Sequence, residues 1–190
     1  MNSEFIPKEV LETTADHTRL SAFAAGVKDR YPLSVDDIAE FHLGYDLFYG
    51  ADLPARVDGS TDPVPKLISV GQHILHDGRR RFTVAHEIGH IVLHLPALMA
   101  QANHQIPLFA VPQAPIQDDR LEFQANYFAA ALLMPRAPLR TAFGERTARG
   151  EYVRAEEVAH YFGVSVQAAT FRMKQLRLIL DTSPGETLDF

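Results

Sequence analysis

Among the residues of this 190-residue chain, His86-Glu87-Ile88-Gly89-His90 has the types and spacing that could do chemistry most directly. Residues four apart share one face of a helix, so His86 and His90 can offer two imidazoles to one ion, with Glu87 one step round toward its water. That is the geometry of a zinc protease. A catalytic zinc takes three protein ligands, keeps a fourth position for water and lowers the pKa of that water to about 7. Glu87 is then the candidate base that takes the proton and passes it to the leaving amine. A chance match in a chain with nine histidines is the competing reading. Against it, the motif falls within an amphipathic helical pattern. Gly89 costs a helix interior about 1 kcal/mol relative to Ala, which makes sense where something approaches the backbone closely.

The third ligand must come from another element. Glu122 is the best candidate, because Asn126 lies four residues on and shares its helix face. Asn126 could hydrogen-bond a ligating imidazole and fix its tautomer. Taken alone, Glu122 would read as an ordinary exposed helix carboxylate. His94 is the rival, next in the series after His90, but on one straight helix it stands about 12 Å from His86, too far to share an ion. A packing or supporting role suits it better.

These residues need elements to hold them. Apolar residues at Phe82, Val84, Ala85, Ile88, Val92 and Leu95 predict a helix over 79–95, opened by a His76-Asp77-Gly78 turn and stopped by Pro96. Asp118 and Asp119 open a second helix that runs to about Leu133, where Met134-Pro135 ends it. Between them, residues 96–117 are rich in proline and read as a long loop with an extended piece around Leu108 to Val111, a candidate lining for a substrate groove. Upstream, the spacing predicts mostly helix before Arg30 and a short helix over 35–43 started by Ser34. Two strand-like runs follow, 45–49 and 66–70, separated by a Pro/Gly/Asp-rich segment. Two further helices are expected near 155–162 and 166–176, with Gly163 at their turn, and the last ten residues read as frayed. There is no internal repeat.

Composition bounds the partners. The chain is 46% apolar, enough for a real core, and its 18 Lys and Arg stand against 24 Asp and Glu, a net charge of −6 that argues against a surface built wholly for nucleic acid. Charge is uneven: Arg136 to Arg177 carries eight basic and four acidic residues, a local excess of +4 against −10 for the rest. With no cysteine, disulfides, thiolate catalysis and Cys-ligated zinc are excluded, so any metal must use His and carboxylates. No stretch approaches the roughly 20 apolar residues of a spanning helix and the first residues lack a leader pattern, so a cytoplasmic protein is expected.

Two segments together carry a family resemblance: Arg80-Arg81-Phe82-Thr83-Val84-Ala85-His86-Glu87-Ile88-Gly89-His90, and Glu122-Phe123-Gln124-Ala125-Asn126-Tyr127-Phe128-Ala129-Ala130-Ala131-Leu132-Leu133-Met134-Pro135. They resemble the ImmA/IrrE metallopeptidases. The likeness runs from about Leu43 to Leu180 and includes the Phe162-Gly163-Val164-Ser165 turn; the stretch before about Leu33 has no counterpart. The resemblance implies an α+β, zincin-like fold with a small β-sheet, zinc on His86, His90 and Glu122, and Glu87 as general base. It also implies a role like that of family members, typically bacterial or phage proteins that cleave a DNA-binding repressor, often encoded beside them, while others serve mobile elements or stress responses. The expected organisation is an N-terminal helical segment over 1–32, a metallopeptidase core over 33–135, a C-terminal helical pair over 136–180 packed on that core, and a tail over 181–190.

Weaker signals stay open. Glu156 to Leu176 reads as helix, turn, helix, and Arg172, Lys174 and Arg177 add charge, so DNA contact is conceivable; a helical pair that completes the core is favoured, because the second helix offers few groups for reading bases. Arg79-Arg80-Arg81 could grip an acidic substrate, although such runs are usually solvated, and this one opposes the helix dipole without evident purpose. His160, Tyr161 and Tyr152 are candidate oxyanion stabilisers, although each type is more often an ordinary packing or surface residue. The leading expectation is a zinc endopeptidase acting on a specific protein, a helix-turn-helix repressor, in transcription regulation. The alternative is a non-hydrolytic zinc-binding regulator or toxin–antitoxin component that works by protein or DNA binding. Mn²⁺ or another divalent ion could replace zinc in a His₂-carboxylate set.

Overall fold

In the computed structural model, residues 5–54, 56–101, 118–149, 151 and 153–178 are described. The order is α1 (Lys8–Ala24), α2 (Val35–Asp37, continuing as a π-helical turn over Ile38–Leu43), β1 (Asp46–Ala51), β2 (Gly59–Asp62), β3 (Leu67–Gly71) and α3 (Asp77–Gly89, continuing as a π-helical turn over His90–His94). Then come α4 (Leu95–Gln101), α5 (Asp119–Leu133), α6 (Arg136–Ala148), α7 (Ala155–Phe162) and α8 (Val166–Gln175). This is a mixed α+β architecture with a small three-stranded sheet.

β3 is the central strand, parallel to β1 and antiparallel to β2. Ile68 and Val70 of β3 are fully or almost fully buried, so one face of the sheet closes on the helices. Across the β2–β3 ladder, Thr61 pairs with Ile68 and Gly59 with Val70. Side chains of directly paired residues share a face, so alternate positions of β2 point to the same side as the buried residues of β3. That side is occupied by α3.

α3 and α5 pack against each other through small residues. Ala125, Ala129 and Ala130 are completely buried beside Phe128, Leu132 and Leu133, and α3 contributes Val84, Ala85 and Ile88. Burying a side chain the size of Ile88 or Phe128 contributes roughly 1.5–3 kcal/mol, so this interface fixes the two helices firmly. Gly89 is what lets them close: a Cβ there would lie 3.1 Å from Ala125 Cα and 3.2 Å from Phe128 Cδ1. α1 packs on α5 from the other side, with Leu11, Ala15 and Ala22 wholly buried.

Several sequence expectations need correction. Pro96 does not stop the helix; it lies in the first turn of α4. Helical backbone runs unbroken through the π-helical turn over His90–His94, where the Leu95 amide bonds the His90 carbonyl five residues back, and this widened turn precedes the proline. β2 was not anticipated, because Gly-Ser-Thr-Asp is short, polar and poor in β-formers. α6 was not anticipated either, and its Pro138 again falls in a first turn. α3 begins at Asp77 rather than Arg79, capped by His76, whose Nδ1 accepts from the Gly78 amide at 3.0 Å. The expected extended piece at 108–111 and the frayed tail lie outside the described residues.

The α7–turn–α8 segment is pinned to the rest. Gly163 adopts φ +63° and sits against Pro32, Gly78 sits against the Val164–Ser165 backbone, and Arg81 donates to the Gly163 carbonyl. In α8, Arg172 is completely buried: Nη2 reaches Glu12 Oε2 at 2.9 Å and Nε donates to the Met134 carbonyl at 2.9 Å. Arg172 is thus unable to add positive charge to an exposed face. Arg146 and Arg149 are likewise paired, with Glu157 and Glu151. The Arg79-Arg80-Arg81 run ties elements together: Arg79 grips Asp58 at 2.8 and 2.9 Å, and Arg80 donates to the Ile74 carbonyl at 2.7 Å.

Candidate metal centre

His86 and His90 lie on one face of α3, and α5 brings Glu122 up to them. Their donor atoms all lie within 4.8 Å of one another, and this is the one such cluster of His and carboxylate groups among the described residues. His86 Nε2 is 2.9 Å from His90 Nε2 and 3.2 Å from Glu122 Oε2, while His90 Nε2 is 3.4 Å from Glu122 Oε1. Ligands held about 2.0–2.1 Å from one tetrahedral ion stand about 3.3 Å from each other, so the spacing suits a divalent metal.

The donor set fits such an ion electronically as well. Asn126 Oδ1 lies 3.0 Å from His86 Nδ1. A carbonyl oxygen only accepts, so Nδ1 carries the proton and Nε2 turns its lone pair toward His90 and Glu122. Two imidazole lone pairs and a carboxylate at these separations repel each other unless a cation, metal ion or proton, joins them. The pKa directions carry the same message. Burial by itself would raise the Glu122 carboxyl, but the hydrogen bonds and charges of His86 and His90 outweigh it and hold Glu122 at about 2. Burial would lower His86, yet the Glu122 hydrogen bond and the charge of Glu87 push it up instead.

Glu87 is buried at 6% exposure under β2. Its Oε2 accepts a 2.7 Å hydrogen bond from the Thr61 hydroxyl. Two residues away on the same strand face, Gly59 leaves room for it: a Cβ at 59 would stand 2.9 Å from Glu87 Oε1 and 2.6 Å from Thr83 Cγ2. Thr61 was missed from sequence because its strand was missed. A possible signal was Gly59-Ser60-Thr61, a break in the Pro/Asp-rich segment, but nothing local connects it to residue 87.

His94, placed as a packing or supporting residue, is 5% exposed and touches the cluster without joining it. Its Nδ1 is 3.0 Å from His90 Nδ1 and its Nε2 is 3.0 Å from Gln124 Oε1. Burial pushes His94 down to about 4. No local sequence signal marks Gln124 as a partner of this cluster. Of the oxyanion candidates, Tyr161 lies in an aromatic cluster with Tyr31, Phe143 and Phe162, His160 is exposed, and Tyr152 lies outside the described residues.

The imidazoles are largely covered, at 17% and 12% side-chain exposure for His86 and His90, whereas Glu122 is 39% exposed. Solvent therefore reaches the cluster from the side of α5. Among the described residues, no helix is long and apolar enough to cross a membrane.

No curated protein gives a significant match to the chain. Among solved structures, a Mycobacterium tuberculosis transcriptional regulator superposes with a TM-score of 0.59 at 16% identity, over 89% of this chain and 52% of that one. The likeness is one of fold, and the chain spans about half the length of that regulator. The family model Peptidase_M78, described as the IrrE N-terminal-like domain, matches residues 42–174, which include both helices of the cluster. Matched over more than two thirds of its length, the chain belongs to the IrrE N-terminal-like family of metallopeptidase type.

Proposed function

We propose that the protein is a zinc-dependent endopeptidase that cleaves a specific protein partner, a helix-turn-helix DNA-binding repressor, in a bacterial or phage regulatory switch. The observation that carries this reading is the meeting of three donors, His86, His90 and Glu122, from two helices beside a buried carboxylate on Glu87. Family membership, which implies a divalent metal, supports it. Zinc is the natural occupant of two imidazoles and one carboxylate, and Mn²⁺ is the substitute to test.

The bound ion supplies an activated water and polarises the scissile carbonyl. His86 and His90 are oriented for holding it by their other ring nitrogens, His86 through Asn126. Glu87 takes the proton of the attacking water and delivers it to the amide nitrogen that leaves, so its carboxylate ends the cycle ionised as it began. The Thr61 hydroxyl occupies one lone pair of Oε2 and holds the carboxylate in place. Burial under β2 keeps bulk water away from that proton.

The test is to incubate the zinc-loaded protein with the helix-turn-helix protein encoded beside it. Discrete fragments are expected from wild type and none from Glu87→Gln. Should Glu87→Gln keep full regulatory activity in the cell, hydrolysis is not the function and a binding regulator takes its place.

A further inference from the structure

A line of polar side chains leads away from the cluster through two buried residues, His94 and Gln124. Beyond His90 comes His94, at 3.0 Å between the two Nδ1 atoms, and beyond His94 comes Gln124, at 3.0 Å between His94 Nε2 and Gln124 Oε1. His94 is 5% exposed and Gln124 1%, so bulk water does not take the place of these partners. The π-helical turn over His90–His94 carries both imidazoles, and Gln124 comes from α5, two residues after Glu122.

Proton counting along this line gives one consistent neutral arrangement. Gln124 Oε1 can only accept, so His94 carries its proton on Nε2. His94 Nδ1 is then an acceptor and takes a hydrogen bond from His90 Nδ1–H. His90 Nε2 is left with its lone pair, aimed at His86 Nε2 and Glu122. If the Gln124 amide were turned to present its nitrogen, every proton would shift by one site. His90 would then hold a proton on Nε2, where the ion must bind.

We propose that His94 and Gln124 are positioning residues which set the tautomer and ring orientation of His90, and thereby the affinity of the cluster for its divalent ion. This rests on reading the cluster as a metal site but does not require that any substrate be cleaved. His90 is held from α5 through two buried side chains, while His86 is held from α5 directly by Asn126, so one helix presets both imidazoles. Removing a partner behind a ligating histidine typically costs 10–100-fold in metal affinity.

The experiment measures the zinc dissociation constant by chelator competition, for wild type, Gln124→Glu, Gln124→Met, His94→Gln and His94→Phe, with circular dichroism of each metal-free protein. Gln124→Glu keeps an acceptor toward His94, and His94→Gln keeps one toward His90, so both should stay within a few-fold of wild type. Gln124→Met and His94→Phe keep the volume but lose the acceptor, and should weaken zinc by about 10–100-fold. A second measurement needs no variant: ¹⁵N spectra of zinc-loaded wild type should show His94 protonated on Nε2 and His90 on Nδ1. The proposal is overturned if the Met and Phe variants, folded, bind as wild type does, or if His94 carries its proton on Nδ1. If wild type itself binds no divalent ion, the metal-site reading falls with it. If zinc binds as expected and no partner is cleaved, only the peptidase reading falls.

Discussion

Replacing Gly89 with Ala tests the central packing claim, because it sets a gain in helix propensity against a loss at the α3–α5 contact. In an unconstrained helix interior, Ala is worth about 1 kcal/mol more than Gly. Here the new Cβ would lie 3.1 Å from Ala125 Cα, 3.2 Å from Phe128 Cδ1 and 3.3 Å from the Ala125 carbonyl oxygen, against ordinary contacts of 3.4–4 Å. Two of the three atoms are backbone, so relief must come from α5 itself, by a few tenths of an ångström. Overpacking of this kind costs about 1–3 kcal/mol, which leaves the metal-free variant about 1 kcal/mol less stable and melting about 2–4 °C lower. The candidate metal cluster should feel more than the fold. Ala125 stands between Glu122 and Asn126, and metal–ligand distances tolerate only about 0.2 Å of error, so zinc affinity should fall about tenfold or more. Thermal unfolding in chelator and zinc competition at neutral pH read the two effects separately. A variant that gains the full propensity increment and binds zinc unchanged would refute the close approach of the two helices.

Other perturbations separate the parts of the site. Thr61→Val keeps strand shape but removes the donor to Glu87; cleavage of the partner should slow about tenfold with zinc affinity unchanged, and an unchanged rate would show that Thr61 does not position the base. Gly59→Ala should go further, because its Cβ collides with Thr83 and crowds Glu87, and the loss should appear in turnover before it appears in metal content. Burial alone would raise the Glu12 carboxyl, but the hydrogen bond and charge of Arg172 hold it below its ordinary value. The stability it adds is therefore present above the unfolded value near 4.5 and is lost as pH falls below that. Denaturant unfolding should show Glu12→Gln about 3 kcal/mol less stable than wild type at pH 7, with the gap closing in acid; a gap independent of pH would contradict the ion pair. Gly163→Ala places a Cβ at φ +63° and 2.6 Å from Pro32 Cγ, so a lower melting temperature is expected, and an unchanged one would mean the α7–α8 turn is not docked there.

The sequence by itself determined what depends on local periodicity. That His86 and His90 share one helix face could be read because a helix repeats every 3.6 residues, and that Glu122 and Asn126 share another because they are four apart. The capped starts of α2 and α5 were legible in Ser34 and Asp118, whose side chains bond the first amides of their helices. Tertiary structure decided what depends on distant partners. β2 is held by pairing with β3 rather than by β-forming residues, so neither the strand nor the Thr61–Glu87 bond could be read from residues 59–62. Pro96 and Pro138 look like helix breakers locally, yet Pro96 follows a π-helical turn inside an unbroken helical run and Pro138 falls in the first turn of α6. The Arg79-Arg80-Arg81 run opposes the helix dipole in sequence, but its partners, Asp58, the Ile74 carbonyl and the Gly163 carbonyl, exist only in the folded chain. Likewise, nothing near Gln124 in sequence shows that its carbonyl lies against His94, thirty residues away, because the direction of a hydrogen bond is settled only when two helices meet.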